Sequence, residues 1–254
     1  MTDPQTVALV TGGARRLGEA IVRDLAANGF AVAIHCNTSR EDADRLAAEI
    51  ADDCGRAAVV QADLSQPDTA GRIIAEAAGA LGPVQVLVNN ASVFEDDSAL
   101  DFEWDVWDRH FAVHVKAPVI LARAMAEALP QDREGLVVNM IDQRVWRLTP
   151  KFFSYTLSKS ALWTATRTMA QALSPRVRVN AVGPGPTLQN ERQNTLDFER
   201  QVSGLLLERG PDLSELGATV RYLWGARSIT GQMVALDGGQ HLAWETPDVY
   251  GIAE

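Results

Sequence analysis

The sequence predicts a single-domain α/β fold, a doubly wound parallel sheet of about seven strands with helices on both faces. Short apolar runs alternate with longer amphipathic runs along the chain. Successive residues of the short runs are apolar, as in parallel strands that are buried on both faces. With 254 residues, of which 46% are hydrophobic, the chain is long enough to build one large core.

Seven short runs have the composition of strands, with β-branched and small apolar residues bounded by turn residues. They are Val7–Val10, Ala31–Cys36, Ala57–Gln61, Val84–Asn89, 136–141, 177–182 and Met233–Leu236. The longer runs repeat apolar residues at the spacing of a helix that buries one face. They include 17–28, 40–51, 69–80, 104–128 and Phe153–Leu173. This alternation favours right-handed crossovers between parallel strands.

The long stretch 184–210 interrupts the alternation before the last strand and is predicted to be irregular. In a doubly wound fold it would lie beyond the carboxyl ends of the strands, where ligands bind. We interpret it as a substrate lid within the single domain 1–254. A mobile insertion with no special role is the alternative.

The composition excludes several classes of function. A net charge of −10 and a pI of about 4.9 provide no basic field for a nucleic-acid backbone. No apolar run approaches the roughly 18 residues of a membrane span, and the N-terminus does not resemble a secretion signal. Cys36 and Cys54 make no disulfide framework, which favours a reducing cytoplasm. His35 and His241 lack ligand-like spacing, so we expect no metal site.

A glycine-rich segment joins the first predicted strand to the first predicted helix. Its residues are Thr11-Gly12-Gly13-Ala14-Arg15-Arg16-Leu17-Gly18. Gly12 would allow a tight turn, and Gly18 would allow close packing of helix on strand. The amides at the helix start could hold a pyrophosphate. The alternative is an ordinary glycine-rich βα turn, which this position between strand and helix disfavours.

The end of the second strand indicates which dinucleotide is bound. No carboxylate follows His35 before Glu41, whereas a ribose-binding Asp or Glu is typical of NAD sites. Arg15 and Arg40 flank this region, and a 2′-phosphate needs cationic partners. The sequence therefore favours NADPH over NADH. Arg40 could instead be a solvated residue of the next helix.

Three polar residues follow the fifth predicted strand at fixed spacing. Asp142 ends the strand, Tyr155 follows thirteen residues later, and Lys159 lies four residues beyond Tyr155. A Tyr and a Lys four apart project from one face of a helix. An ammonium beside a phenol stabilises the phenolate, so we expect the pKa of Tyr155 to lie below its free value of about 10.

The glycine-rich turn and the Tyr-x-x-x-Lys helix together resemble the short-chain dehydrogenase/reductase family, which has a Rossmann-type fold. In most of that family the residue thirteen before the Tyr is a Ser. An Asp there, as in Asp142, is similar to the pteridine reductases, including dihydromonapterin and dihydrofolate reductases of this fold. The resemblance implies that Tyr155 is the acid, that Lys159 lowers its pKa and binds ribose, and that Asp142 contacts a pterin. As a catalytic residue, Asp142 could supply the proton to a C=N nitrogen itself, or orient a water or Tyr155 to do so. A structural Asp that caps the next loop is the alternative.

The resemblance also implies a rim of cofactor contacts at the strand ends. Ser39 would be a more secure phosphate contact than Arg40. The remaining contacts would be Gly12, Arg15, Arg16, Leu17, Gly18, Asn37, Asp63, Leu64, Asn90, Ala91, Ser92, Lys159, Pro184, Gly185 and Thr187.

Two further residues match the pteridine reductase pattern. Phe94 corresponds to the aromatic residue that stacks on the pterin. Arg16 replaces the middle glycine of the family's TGxxxGxG pattern and corresponds to an Arg that contacts pterin and cofactor phosphate. A core Phe and a solvated Arg are the alternatives.

The chain departs from the family at His114, where an Asn commonly holds a proton-relay water. A His can also hold a water, but a buried core His is an equal alternative. The resemblance further implies a homotetramer that pairs through the helices 104–128 and Phe153–Leu173.

The leading hypothesis is NADPH-dependent reduction of a dihydropterin or dihydrofolate, a small-molecule substrate. A carboxylate at position 142 would repel a developing alkoxide, which disfavours simple ketone reduction. A generic short-chain reductase of a carbonyl or imine is the second hypothesis, and a non-catalytic NADP-binding sensor is the third.

Overall fold

The computed structural model describes residues 5–189 and 193–246. Within them, seven parallel strands form one sheet in the order β3-β2-β1-β4-β5-β6-β7. The strands are β1 Val7–Val10, β2 Ala31–Cys36, β3 Ala57–Gln61, β4 Val84–Asn89, β5 Gly135–Met140, β6 Val177–Pro184 and β7 Met233–Leu236. This confirms the predicted Rossmann-type fold. The strand order reverses between β1 and β4, and that switch point creates the crevice in which such folds bind ligands.

Helices cover both faces of the sheet. They are α1 Arg16–Ala27, α2 Arg40–Asp52, α3 Pro67–Leu81, α4 Trp104–Phe111, α5 Ala117–Ala128, α6 Phe153–Leu173, α7 Thr195–Ser203 and α8 Leu213–Gly225. The side chains of β1 alternate between two cores. Val7 and Leu9 pack in the core with α3 and α5, whereas Ala8 and Val10 pack in the core with α1, α2 and α8. Burial on both faces explains why the strands are apolar at every position.

Two predictions about the helices were wrong in detail. The single helix predicted over 104–128 is interrupted by a π-helix, Ala112–Lys116, between α4 and α5. Pro118 has no N–H to donate to the carbonyl of His114, so the regular helical ladder cannot continue there. The stretch 184–210, predicted to be irregular, contains α7. The side chain of Asn194 caps it by accepting a hydrogen bond from the Asp197 amide at 2.8 Å.

Helix α8 packs closely on α1. A Cβ atom on Gly217 would come within 2.3 Å of the Asp24 side chain, so only glycine allows this approach. Arg221 then donates to Asp24 at 2.6 Å from the next turn of α8. This packing fixes α1, whose first turn belongs to the site described below. No helix among residues 5–189 and 193–246 is long and apolar enough to span a membrane.

Candidate active site

The turn between β1 and α1 requires its glycines. Gly12 has a φ of 59°, and a Cβ atom there would lie 3.0 Å from the backbone of Ala91. A Cβ atom on Gly18 would lie 2.1 Å from the carbonyl oxygen of Gly12. The Asn90 side chain stabilises the same turn, since its Nδ2 donates to the carbonyls of Thr11 at 2.9 Å and Gly12 at 3.1 Å. Asn90, predicted to contact the cofactor, therefore shapes the glycine-rich turn.

His35 also supports this turn, a role that the sequence did not indicate. Its Nδ1 accepts a hydrogen bond from the Gly12 amide at 3.1 Å, so Nε2 carries the proton and donates to the Ala62 carbonyl at 3.1 Å. Burial lowers the pKa of His35 to about 4. The imidazole is therefore neutral near pH 7 and links the glycine-rich turn to the end of β3.

Arg16 begins α1 in the left-handed conformation, with a φ of 54°. A side chain in this region costs about 1 kcal/mol or more, which explains why a glycine is usual at this position in the family. The guanidinium group donates to the carbonyls of Gln189 at 3.2 Å and Leu188 at 3.4 Å. It thus connects the glycine-rich turn to the segment that follows β6.

The surroundings predicted to hold a 2′-phosphate contain a carboxylate after all. Arg15 forms an ion pair with Asp42, which also pairs with Arg45 at 2.9 Å. The pKa of Asp42 lies below its ordinary value, mainly because of the hydrogen bond from Arg15 and to a smaller extent because of that from Arg45. Arg40 pairs with Asp44 on the exposed side of α2 at 2.8 Å. Helical winding brings Asp42 back towards Arg15, which the linear sequence does not reveal.

Several predicted cofactor residues have structural contacts of their own. Asp63 Oδ1 accepts a hydrogen bond from the Ser65 amide at 2.9 Å, so this side chain caps a turn. Leu64 is a buried member of the core. Ser39 is the N-cap residue of α2 but makes no side-chain cap bond. The Asn37 carbonyl accepts a hydrogen bond from the Gln61 side chain at 2.7 Å.

Asp142, Tyr155 and Lys159 come together at the end of β5 and along one face of α6. The Tyr155 hydroxyl donates to Asp142 Oδ2 at 3.1 Å. Lys159 Nζ lies 5.7 Å from the centre of the Tyr155 ring and donates to the Met140 carbonyl at 2.9 Å. Asp142 Oδ1 accepts a hydrogen bond from the Arg144 amide at 2.8 Å. One carboxylate therefore caps the following turn, the alternative that the sequence left open, and also contacts the tyrosine.

The expected lowering of the Tyr155 pKa is wrong for this structure. Burial first, and then the negative charge of Asp142, raise the pKa of Tyr155 well above its ordinary value. Burial lowers the pKa of Lys159 to about 8, and Asp142 opposes that shift only partly. The phenol therefore keeps its proton in this structure and donates it in a hydrogen bond to the carboxylate.

Arg144 is a further site residue that the sequence did not indicate. Its Nη1 pairs with Asp142 Oδ2 at 3.1 Å. The guanidinium carbon lies 5.1 Å from the centre of the Phe152 ring and 5.6 Å from that of Phe94. The cation thus lies between a carboxylate and two aromatic rings, a geometry that favours the planar guanidinium group.

Phe94 lies next to the catalytic candidates but is already part of an aromatic cluster. Its ring stacks on Phe152 with centroids 4.3 Å apart and meets Tyr155 edge to face at 4.8 Å. Phe152 has a φ of 56°, a strained conformation for an aromatic residue. The two phenylalanines form one aromatic wall beside Tyr155.

A cavity of about 480 Å³ opens beside this wall, a size that suits a small-molecule ligand. It brings together the glycine-rich turn, the aromatic wall, the end of β6 and α7. The lining residues are Arg16, Leu17, Phe94, Asp96, Asp142, Gln143, Arg144, Phe152, Pro184, Gly185, Pro186, Thr187, Leu188, Gln193, Asp197, Phe198, Gln201 and Gln240. In the described part of the chain, no group of three or more His, Cys, Asp or Glu residues is arranged to hold a metal ion.

His114 lies in the π-helix and is buried. Burial, followed by the charge of Lys159, lowers its pKa well below the ordinary value. Protein groups contact both ring nitrogens, since Ser92 Oγ lies 2.9 Å from Nε2 and Ser158 Oγ lies 2.8 Å from Nδ1.

This fold and site define a member of the short chain dehydrogenase family, whose pattern the chain matches over residues 6–199. The chain belongs to this family, which confirms the resemblance seen in the sequence. It is 61% identical to the FolM alternative dihydrofolate reductase 1 from Brucella canis, crystallised with NADP, with a TM-score of 0.94 over 97% of this chain and 98% of that one. The corresponding Brucella suis protein, also in complex with NADP, is 63% identical, with a TM-score of 0.94 over 96% of this chain and 98% of that one. A 3-oxoacyl-[acyl-carrier-protein] reductase from Synechocystis is 30% identical over 237 residues, which cover 92% of this chain and 96% of that protein.

Proposed function

We propose that this protein is an NADPH-dependent reductase of a dihydropterin or dihydrofolate. The observation that carries the proposal is the hydrogen bond from Tyr155 to Asp142 at the end of β5. A carboxylate beside the acid suits a substrate rich in N–H donors. The high identity to two Brucella proteins described as alternative dihydrofolate reductases supports the same assignment.

The residues present fit a dinucleotide. A Cβ atom on Gly12 or Gly18 would collide with the Ala91 backbone or the Gly12 carbonyl, so these glycines are needed for the tight turn that precedes α1. No side chain caps the start of α1, so its amides are available to a pyrophosphate. Arg15 would contact a 2′-phosphate and Lys159 a ribose. Pro184, Gly185 and Thr187 would border the nicotinamide. When bound, NADPH supplies the hydride for reduction.

The chain's own residues supply and direct a proton. A C=N bond that gains hydride at carbon needs a proton at nitrogen, and Tyr155 Oη carries one that it can supply. The charge of Arg144 favours release of this proton, because it opposes the rise in the pKa of Tyr155. Asp142 accepts N–H donors of the substrate and orients the phenol. Lys159 places a positive charge 5.7 Å from the centre of the Tyr155 ring, and this charge favours the phenolate that remains when the proton leaves.

Reduction of a carbonyl is the second candidate, favoured by the similarity to the 3-oxoacyl-[acyl-carrier-protein] reductase. Asp142 argues against it because a carboxylate that already contacts Tyr155 would repel an alkoxide forming there. A non-catalytic sensor is disfavoured because it would not need the buried pair of Tyr155 and Lys159.

We also propose that the segment 184–210 is the substrate lid of the single domain. Asp197, Phe198 and Gln201 of α7 line the cavity, and Arg16 binds backbone carbonyls at the start of the segment. Residues 190–192 lie outside the described residues. A lid of this kind would exclude water from the reacting atoms.

We propose a homotetramer in the cytoplasm. Trp104 is 66% exposed at the start of α4 and packs edge to face on Phe102, with Trp107 beside it. Exposed aromatic residues of this kind are typical of protein–protein contacts. The free thiols of Cys36 and Cys54 suit a reducing compartment.

NADPH oxidation measured against dihydropterins, dihydrofolate and simple ketones tests the function. We expect turnover with at least one dihydropterin or dihydrofolate and little with ketones. Tyr155→Phe is the matched control, which should lose nearly all turnover while still binding NADPH. Turnover of ketones alone would overturn the proposal in favour of the generic reductase.

A further inference from the structure

His114 links three elements around Tyr155. It lies in the π-helix between α4 and α5, it is only 1% exposed, and its ring meets the Tyr155 ring edge to face with centroids 5.3 Å apart. Its two nitrogens contact the loop after β4 on one side and α6 on the other. π-Helices are frequently found at functional sites.

The hydrogen bonds determine which nitrogen carries the proton. Ser158 Oγ donates its proton to the Tyr155 carbonyl at 2.7 Å, so it can only accept from His114 Nδ1 at 2.8 Å. His114 Nε2 therefore has no proton and accepts two hydrogen bonds. One comes from the Val93 amide at 3.2 Å and the other from the Ser92 hydroxyl at 2.9 Å.

This arrangement commits the hydroxyl proton of Ser92 to His114, since its other protein acceptor, the Val93 carbonyl, lies farther away at 3.3 Å. Ser92 is also a hydrogen-bond partner of the Tyr155 side chain. The Ser92 side chain is exposed, and it lies two residues before the cavity-lining Phe94. A hydroxyl group whose proton is engaged presents only lone pairs to a ligand. Ser92 can then accept a hydrogen bond from a ligand but has no proton left to donate.

We propose that His114 is a positioning residue that makes Ser92 an acceptor for an N–H donor of the substrate. The inference rests on the proposed function, because a pterin carries an amino group and ring N–H atoms. His114 contributes to recognition through Ser92 and does not touch the reacting atoms.

His110 is a natural comparison. It stacks on His114 with centroids 5.5 Å apart and is also buried. Its contacts are Ser154 Oγ at 2.7 Å and the Glu95 amide at 3.4 Å, and Ser154 continues to Asp97. His110 also meets the Tyr155 ring edge to face, with centroids 5.9 Å apart, but it does not contact Ser92. A variant there therefore reports the effect of losing a buried imidazole beside Tyr155 without changing the partners of Ser92.

Two substitutions by amide residues test the roles of the two His114 ring nitrogens separately. In His114→Gln the side-chain oxygen can replace Nε2 and still accept from Ser92. In His114→Asn the shorter amide can replace Nδ1 and donate to Ser158, but it leaves Ser92 without its acceptor. We expect His114→Asn to raise the KM for a dihydropterin about five- to tenfold with little change in kcat, and His114→Gln to change KM less than about threefold.

A double-mutant cycle with Ser92→Ala tests whether His114 acts through Ser92. His114→Asn should add nothing to the KM of Ser92→Ala, whereas independent effects would multiply. Thermal unfolding of each variant and of His110→Asn gives the structural baseline. Multiplicative effects overturn the proposal, as does a His114→Asn enzyme with wild-type KM or one that is more active than His114→Gln.

A nitrogen-15 NMR measurement of the histidine side chains in the NADP-bound wild-type protein tests the geometry without turnover. We expect the neutral tautomer of His114 in which Nδ1 carries the proton and Nε2 carries none. A proton on Nε2 would overturn the proposal. Failure of the wild-type enzyme to oxidise NADPH with every dihydropterin would instead overturn the proposed function, so the two failures are distinguishable.

Discussion

The Tyr155 hydroxyl donates a hydrogen bond to Asp142 Oδ2, with 3.1 Å between the two oxygens. Related enzymes that reduce carbonyls have a serine hydroxyl at the position of Asp142. A carboxylate changes both the charge next to the phenol and the type of substrate atom that can bind, since it only accepts hydrogen bonds. Its negative charge also contributes to the raised pKa of Tyr155.

Asp142→Ser should separate the two enzyme hypotheses. Loss of a charge-assisted hydrogen bond costs about 1.5–3 kcal/mol, so kcat/KM for a dihydropterin should fall at least about tenfold. Activity on a small ketone or quinone should hold steady or rise, because the hydroxyl is restored and the repulsive charge is gone. Steady-state kinetics with both substrates measures the divergence.

Asp96→Ser is the control for this change, because Asp96 contributes another carboxylate to the same cavity. It should affect both substrates to a similar and smaller extent. An equal loss on both substrates in Asp142→Ser would mean that Asp142 acts as the cap of the next turn. Unchanged dihydropterin kinetics would contradict the pterin hypothesis.

Cofactor preference should depend on Arg15 more than on Arg40. We expect NADPH to bind at least about ten times tighter than NADH, a difference of about 1.4 kcal/mol. Arg15 is paired with Asp42, but it lies in the glycine-rich turn, where a 2′-phosphate would take the place of that carboxylate. Arg40 is paired with Asp44 on the exposed side of α2, so Arg40→Ala should leave the ratio of the two dissociation constants within about twofold. Arg15→Ala should remove most of the preference. Equal dissociation constants in the wild type, or a larger effect from Arg40→Ala, would contradict this assignment.

The strands were largely predictable from the sequence, and the physical reason is their burial. Five of the seven match their predicted bounds, β5 is shifted by one residue, and β6 extends to Pro184. Parallel strands covered on both faces must be apolar throughout, and that signal is local. Helix α7 gives a weaker signal because it has only nine residues and none is fully buried. Its apolar face amounts to one half-buried pair at helical spacing, Phe198 and Val202.

The candidate site was predictable only where a role follows from local spacing. Tyr155 and Lys159 are four residues apart on one helix, and Asp142 ends a recognisable strand. His35 and Arg144 were missed because their roles depend on contacts with Gly12 and with two aromatic rings that packing brings together. The predicted direction of the Tyr155 pKa shift was wrong because the sequence indicates neither the burial of Tyr155 nor the orientation of Asp142.

His35 should make stability depend on pH. Its folded pKa of about 4 lies below an unfolded value of about 6.5, so the unfolded state binds more protons between these values. The neutral imidazole therefore contributes fully above pH 6.5, and roughly 2–3 kcal/mol is lost as the pH falls to 4. Thermal unfolding of His35→Asn should show a lower Tm at pH 7 but a smaller decrease towards pH 5 than the wild type. Parallel curves for the two proteins would argue against the buried neutral imidazole.

The last prediction concerns Arg144, which places a positive charge beside Asp142 and Tyr155. Its charge favours the phenolate, so Arg144→Gln should make proton release from Tyr155 harder and leave Asp142 less well oriented. We expect kcat/KM for a dihydropterin to fall about tenfold.

A second variant, Arg144→Lys, keeps the positive charge but cannot stack on Phe94 and Phe152 as a planar group. Its kcat/KM should therefore fall only about threefold. Arg147→Gln is the control for removing an arginine nearby, since in the described hydrogen bonds the Arg147 side chain contacts only the Gln240 carbonyl, at 3.5 Å. Wild-type kinetics in Arg144→Gln would exclude a role in catalysis, and equal losses in Arg144→Gln and Arg144→Lys would assign the role to the aromatic stack and not to the charge.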